Sequence, residues 1–154
     1  VSKPVLLHLK LDYAVCEKLC VPAEGKAELL LTGGPSSQDA ALAAAAARIP
    51  RKVALGQDTA LAIKSVRREE GGGRPRIIVD VAAPPGTTPV LFAEGPAPDW
   101  ALPVPAQTEG APAGLHRFAF DLDGAPPGAK YEGAAITFTA VAGDAAIEVA
   151  THLD

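Results

Sequence analysis

Glycine and proline recur along the whole chain between short apolar runs, and this spacing limits what the chain can fold into. The 154 residues include 15 glycines and 15 prolines. Both residue types interrupt helices, and short strands bounded by such breaks are typical of β architecture. The sequence therefore predicts a mainly β protein.

The second part of the chain carries six apolar runs that we interpret as strands. Most of the breaks between them contain glycine or proline, such as Gly71–Gly73, and Gly143-Asp144 is suited to closing a tight final hairpin. Six short strands with such breaks predict a β-sandwich from about residue 53 to residue 154. The predicted strands are Thr59–Val66, Arg76–Ala83, Val90–Ala93, Leu115–Leu122, Ala134–Ala142 and Ala145–His152.

A strict alternation of apolar and polar residues predicts another strand near the start of the chain. From Val5 to Val15 every odd position is apolar, and His8, Lys10 and Asp12 lie between them. A period of two is typical of a half-buried strand. We expect Ala27–Thr32 to return as its partner, so that residues 1–32 form a hairpin.

A short linking helix is predicted between the hairpin and the sandwich. Ser36 or Ser37 with Asp39 resembles a helix start that leads into Ala40–Ile49, and Pro50 ends the run. We expect a helical linker over residues 33–52. Beyond it, we expect the proline-rich segment from Pro96 to Pro112 to be an extended crossover anchored by Trp100.

Charge and hydropathy exclude two classes of protein. The net charge is -4, and Arg67-Arg68 is followed at once by Glu69-Glu70, which argues against a nucleic-acid-binding surface. No apolar run approaches the eighteen or more residues of a transmembrane helix. We therefore expect a soluble piece without a nucleic-acid partner.

Cys16 and Cys20 are the two cysteines of the chain, and they are the candidate functional residues. A disulfide across three residues would close a small ring, for which loop entropy gives about 2 kcal/mol of stabilisation. A bond that is made and broken depends instead on accessible sulfurs and a tuned thiolate, which favours redox chemistry. Lys18 would stabilise a thiolate, Glu17 would oppose it, and Pro22 stiffens the exit from the second cysteine.

The position and the chemistry of the cysteines leave alternatives open, one of which is an inert structural pair. A helix would place them on one face at i and i+4, but Val21-Pro22 would end such a helix at once, so we prefer a connection between strands. Thiolates also suit Cu(I), so the pair is an alternative metal site. The redox interpretation needs neither a metal nor another cofactor.

The stretch Leu-Asp-Tyr-Ala-Val-Cys-Glu-Lys-Leu-Cys-Val-Pro-Ala-Glu, Leu11 to Glu24, resembles the cysteine motif of a known family. That family is the periplasmic N-terminal region of DsbD-type thiol:disulfide interchange proteins, and the match is nearest to the branch called suppressor of copper sensitivity protein B. Leu91–Pro96 and Ile136–Val141 resemble the second half of the same region.

The resemblance implies an immunoglobulin-like β-sandwich and a thiol:disulfide oxidoreductase of the protein-disulfide reductase type. In such proteins the pair relays electrons from a membrane-embedded reductase domain of the same parent protein to periplasmic thioredoxin-like thiol proteins. Cys20 would then form the mixed disulfide and Cys16 would resolve it. The implied location is the periplasm, as the soluble part of an inner-membrane protein with a role in copper tolerance.

Other residues of the motif are supporting candidates. Tyr13 would shield the sulfurs or pack in a core, and Asp12 and Glu17 would transfer protons during exchange or be solvated charges near a strand end. Glu24 also matches the family motif, but the resemblance implies no role for it. The runner-up function is a non-enzymatic periplasmic binding or adaptor module, with or without Cu(I) at the two cysteines.

The same resemblance bears on domain organisation. Family members carry a long stretch before the cysteine motif, and here Val1 lies fifteen residues ahead of Cys16. We therefore expect residues 1–32 to be the C-terminal hairpin of a first immunoglobulin-like domain, much of which is missing. A hairpin without its parent sheet exposes an apolar face, so we expect it to pack on the second domain or self-associate with another copy.

Overall fold

The computed structural model describes residues 3–71 and 74–154, and the chain divides into two units, residues 1–43 and 44–154. Residues 72 and 73 of the predicted break Gly71–Gly73 lie outside the described residues. No helix in the described part of the chain has the length and hydropathy needed to cross a membrane.

The first unit is built on one antiparallel hairpin, with strands β1 (Val5–Cys16) and β2 (Cys20–Leu31). Their register pairs Val5 with Leu31 at one end and Cys16 with Cys20 at the other. The predicted first strand is confirmed in its position, but the prediction that it is half-buried is wrong for this chain, because every residue of β1 is exposed. The partner strand begins at Cys20 instead of Ala27, although Pro22 lies within it. A two-stranded sheet has only edge strands, and an edge strand tolerates a proline that cannot donate to the ladder.

One short helix, α1 (Asp39–Ala46), follows the hairpin. The backbone N–H of Ser36 donates to the Asp39 carboxylate at 2.9 Å, and the Ser36 hydroxyl accepts the Gln38 N–H at 3.1 Å. This reciprocal arrangement satisfies free donors at the helix start, as in a capping box. Ile49 ends the predicted helix but lies past α1, where its N–H donates to the Ala46 carbonyl at 3.2 Å.

The second unit contains two four-stranded sheets packed as a sandwich, which confirms the predicted mainly β fold. One sheet has the order β3-β10-β9-β6 and the other β4-β5-β8-β7. The strands are β3 (Arg51–Lys52), β4 (Ala62–Gly71), β5 (Arg74–Ala82), β6 (Val90–Glu94), β7 (Ala106–Thr108), β8 (His116–Asp121), β9 (Ala135–Ala142) and β10 (Ala145–His152).

The core of this unit lies between the two sheets. In β9 every second side chain from Ile136 to Ala142 is buried, as expected for a strand with one face inward. Phe120 of β8 and Phe138 of β9 meet edge to face, with ring centroids 6.3 Å apart. Such pairs add to the free energy gained by burying the rings. This sandwich therefore has its own hydrophobic core.

Trp100 anchors the predicted crossover. It packs against the edge of the core, and its ring meets Tyr131 edge to face at 6.2 Å. Gly95 makes this possible, because a β-carbon there would lie 2.3 Å from the β-carbon of Trp100. The segment also contains the three-residue strand β7. The sequence does not predict this strand, because prolines are frequent on both sides of it.

The second unit also contains a buried carboxylate. Asp80 on β5 is 3% exposed and lies in one row with Ser65 of β4 and Arg117 of β8. It accepts hydrogen bonds from Arg117 Nε at 2.7 Å and Nη2 at 3.0 Å, from Arg67 Nη1 at 3.1 Å and from the Ser65 hydroxyl at 3.1 Å. Arg117, with Arg67 and Ser65, holds the pKa of Asp80 below its usual value despite burial. This network joins three neighbouring strands.

Candidate functional site

The two cysteines close the far end of the hairpin as a disulfide. Cys16 is the last residue of β1, Cys20 is the first of β2, and the two pair directly across the strands. Their Cα atoms are 4.1 Å apart, which corresponds to a narrow, non-hydrogen-bonded pair of an antiparallel ladder. Because pair types alternate, Ala14 and Pro22 also form a non-hydrogen-bonded pair, where proline loses no ladder bond.

Both cysteines are exposed, so the bond is open to an incoming thiol. Thiol-disulfide exchange requires an attacking thiolate to reach one sulfur and the other sulfur to leave. A buried structural disulfide would deny that access. The position of the pair at the exposed tip of a hairpin therefore permits the chemistry that the sequence predicts.

The alternation of side chains gives the hairpin two different faces. Residues with even numbers lie on the face of the disulfide, and residues with odd numbers lie on the opposite face. The even face carries, in order from the disulfide, the pairs Ala14/Pro22, Asp12/Glu24, Lys10/Lys26, His8/Glu28 and Leu6/Leu30. It is therefore small next to the sulfurs and charged farther away.

Ion pairs hold the charged part of this face together. Glu24 contacts Lys26 Nζ at 2.7 Å and Lys10 Nζ at 3.1 Å, and Lys10 also contacts Asp12 at 3.2 Å. Lys26 and then Lys10 hold the pKa of the Glu24 carboxyl below its usual range. Glu24 thus has a structural position that the sequence motif alone does not explain: it links the two strands by charge.

Asp12 is separated from the disulfide along the same face. It lies four residues before Cys16, which corresponds to about 13 Å along a strand. A direct hydrogen bond needs heavy atoms within about 3.2 Å. Any proton that Asp12 passes to a sulfur therefore travels through water, and the predicted role in proton transfer stays a prediction.

The odd face of the hairpin is apolar along its whole length. Its large side chains are exposed by 44 to 64%, and they are Val5, Leu7, Leu9, Leu11, Tyr13, Val15, Val21, Leu29 and Leu31. Tyr13 lies on this face, away from the sulfurs, and its ring passes over Gly25: a β-carbon there would lie 4.0 Å from the ring. This position suits packing within a larger sheet-on-sheet core.

The loop between the cysteines contains Glu17, Lys18 and Leu19. The Glu17 N–H donates to the Leu19 carbonyl at 3.4 Å, which closes the loop on itself. Leu19 is 77% exposed, the highest value among the large apolar side chains of the described ranges. The signal for Leu19 in the sequence is an apolar residue inside a charged turn, and Leu19 is not among the predicted site residues.

The structure thus brings Glu17, Lys18 and Pro22 next to the disulfide, and places Tyr13 and Asp12 elsewhere on the hairpin. Within residues 3–71 and 74–154, His, Cys, Asp and Glu side chains form no group of three or more that could hold a metal ion. A metal at this site would accordingly depend on the two thiolates of the reduced pair.

A comparison with known proteins identifies a solved structure with a similar fold. No protein-family model and no curated protein matches the chain. Among solved structures, the chain is similar to the N-terminal periplasmic domain of ScsB from Proteus mirabilis, with a TM-score of 0.63 and 15% sequence identity. The match covers 96% of this chain and 57% of that one. The chain therefore shares the fold of that domain and spans a little over half of its length.

Proposed function

We propose that this protein carries out thiol-disulfide exchange in the periplasm through the Cys16–Cys20 pair. The observation that carries the proposal is an exposed disulfide at the tip of a hairpin. The shared fold with a periplasmic domain of ScsB supports the location and the class of protein. The reaction needs no cofactor, because the sulfurs themselves exchange electrons.

The reduced pair is the electron donor in this proposal. The Cys20 thiolate attacks a disulfide of a periplasmic thioredoxin-like protein, forms a mixed disulfide and releases one partner thiolate. The Cys16 thiolate then attacks the Cys20 sulfur, closes the Cys16–Cys20 bond and releases the second partner thiolate. Two electrons pass to the partner, and a dithiol of a membrane-embedded reductase domain of the parent protein restores the thiols.

The apolar odd face supports a proposal about domain organisation. Residues 1–32 are the C-terminal hairpin of a first immunoglobulin-like domain, residues 33–52 a linker that ends in β3 of the sandwich, and residues 53–154 a second such domain. Sheets in a sandwich pack face to face through alternate apolar side chains, and the odd face has that pattern. The even face, with the disulfide and the ion pairs, would then be the solvent side.

Trapping of the mixed disulfide tests the exchange. With Cys16→Ala the resolving thiol is lost, so Cys20 should hold an oxidised thioredoxin-like partner as a covalent complex visible on a non-reducing gel. Cys20→Ala is the matched control, and it should trap less. Equal trapping by both variants would contradict the assigned order, and trapping by neither would contradict the proposed function.

A Cu(I) titration separates this function from the alternative of a binding or adaptor module. Thiolates are good ligands for Cu(I), so reduced protein could bind the metal without acting as an enzyme. The exchange proposal predicts transfer of electrons to a thioredoxin-like protein in the absence of metal. Tight stoichiometric Cu(I) binding that needs both thiols, with no exchange, would favour the alternative.

A further inference from the structure

Leu19 occupies a special position at the tip of the hairpin. It lies in the loop between the two cysteines and is 77% exposed. A single exposed leucine is ordinary at a protein surface, so its exposure alone carries no functional meaning. What matters is how near any reaction partner of the disulfide must come to it.

The geometry of a mixed disulfide brings the partner close to Leu19. In a disulfide the two Cα atoms lie within about 6.8 Å of each other, and consecutive Cα atoms lie about 3.8 Å apart across a trans peptide. The Cα of Leu19 therefore neighbours that of Cys20, and the Cα of Cys16 is only 4.1 Å from that of Cys20. When Cys20 is attacked, as proposed, the Cα of the partner cysteine lies within about 11 Å of the Leu19 Cα, a distance that two facing side chains can span.

The chemistry of the tip favours apolar recognition. Glu17 and Lys18 carry opposite charges and cancel within the loop, and an intact disulfide is uncharged. A partner that covers Leu19 removes apolar surface from water, and this is favourable in proportion to the area.

We infer that Leu19 determines which thiol proteins exchange with this disulfide, and that the partner presents an apolar recess beside its reactive cysteine. The inference rests on the proposed exchange function and adds the chemistry of recognition to it. Leu19 takes no part in the transfer of electrons. Its role is to hold the partner while the sulfurs react.

A comparison of a protein and a small-molecule reductant tests the inference. The oxidised protein is mixed with an excess of reduced thioredoxin, which runs the proposed exchange in reverse through the same mixed disulfide, or with dithiothreitol. The second-order rate constants are measured by acid quenching, alkylation and mass spectrometry. The variants are Leu19→Ala, the conservative Leu19→Met, and Leu42→Ala as a control. Leu42 lies in α1 and is 63% exposed, so the same truncation is made at similar exposure away from the disulfide.

We expect Leu19→Ala to react about tenfold more slowly with thioredoxin, equivalent to about 1.4 kcal/mol, and to react with dithiothreitol like the wild type. Leu19→Met and Leu42→Ala should match the wild type with both reductants. Unchanged reaction of Leu19→Ala with thioredoxin would overturn the inference and leave the exchange function standing. Equal slowing with both reductants would also overturn it, because the loop would then act on the disulfide itself.

Failure of the exchange function is recognised from the wild type alone. If the wild-type protein reacts with dithiothreitol but not with thioredoxin, it does not exchange with a protein partner. Leu19 then has no such reaction to influence, and both the proposed function and the inference are contradicted. Each result therefore supports or overturns the role of Leu19.

Discussion

The buried carboxylate of Asp80 offers a quantitative test of how the second unit is held together. Asp80→Asn keeps the size of the side chain but removes its negative charge, and leaves the guanidinium of Arg117, 18% exposed, without its counter-charge. Breaking a buried ion pair in this way costs about 3–5 kcal/mol. Arg67 is 40% exposed and can turn to water, so we expect the lower end, about 3 kcal/mol of unfolding free energy.

Urea denaturation followed by the fluorescence of Trp100 measures this loss. Trp100 is the one tryptophan of the chain and lies in the second unit. With an m-value of about 2 kcal/mol per M, a loss of about 3 kcal/mol lowers the midpoint by about 1.5 M. Asp121→Asn is the matched control: Asp121 is 63% exposed and 4.0 Å from Arg76 Nε, and we expect a loss below about 0.5 kcal/mol. Equal midpoints for the two variants would refute the reasoning.

The difference in unfolding free energy between the wild type and Asp80→Asn should depend on pH in one direction. Arg117 lowers the pKa of Asp80 in the folded protein below its usual value of 3.8. The stabilisation is therefore fully present above that value and is lost as the pH falls through the lowered pKa. The gap between wild type and Asp80→Asn should be constant near neutral pH and should narrow only below about pH 4. If the stability difference narrowed between pH 7 and 5, a titrating group other than Asp80 would be responsible, which would contradict this account.

Three further results are expected. Gly95→Ala should destabilise the second unit by about 1–3 kcal/mol in the urea assay, because the new β-carbon would overlap Trp100, whereas Gly34→Ala, with nothing within 4 Å, should be neutral. Reduction of the disulfide should leave the Trp100 unfolding midpoint unchanged, since the bond lies in the other unit; a shift of the midpoint would contradict this expectation. If residues 1–32 cover their apolar face by self-association, sedimentation velocity should show an oligomer that Leu11→Lys on the apolar face weakens and His8→Lys on the other face does not. A monomer whose first thirty residues are disordered would contradict the expectation for this hairpin.

The regular parts of the fold follow from the sequence pattern. The alternation from Val5 to Val15 predicts β1 to within one residue, because successive side chains of a strand point to opposite faces and give a period of two. The start of β2 does not follow, since Pro22 and Gly25 are residues that strands usually avoid. They fit here because the proline lies at a non-hydrogen-bonded pair and Tyr13 covers the glycine.

Charged edge strands and isolated buried charges are harder to predict. The predicted strand Thr59–Val66 ends before Arg67, but β4 continues to Gly71, because an edge strand gains from charges that keep other strands away. Asp80 lies within the apolar run of β5, and nothing local pairs it with Arg117, which is 37 residues away. The contact between Asp80 and Arg117 is set by the register of β5 against β8, which are far apart in the sequence.

The candidate site could be found from the sequence, but its surroundings could not. The spacing of Cys16 and Cys20 indicates redox chemistry, while the face on which each supporting residue lies depends on the pairing of the strands. Tyr13 has an odd number and therefore lies opposite the sulfurs. The exposure of Leu19 in turn depends on the loop being three residues long.

The reduction potential of the Cys16–Cys20 pair tests the proposed function most directly. The protein is equilibrated with glutathione buffers, the free thiols are alkylated, and the oxidised fraction is measured by mass spectrometry. A pair that relays electrons should have a potential of about -120 to -270 mV, the range of known exchange proteins. A potential below about -300 mV, or thiols that never form the bond, would contradict thiol-disulfide exchange.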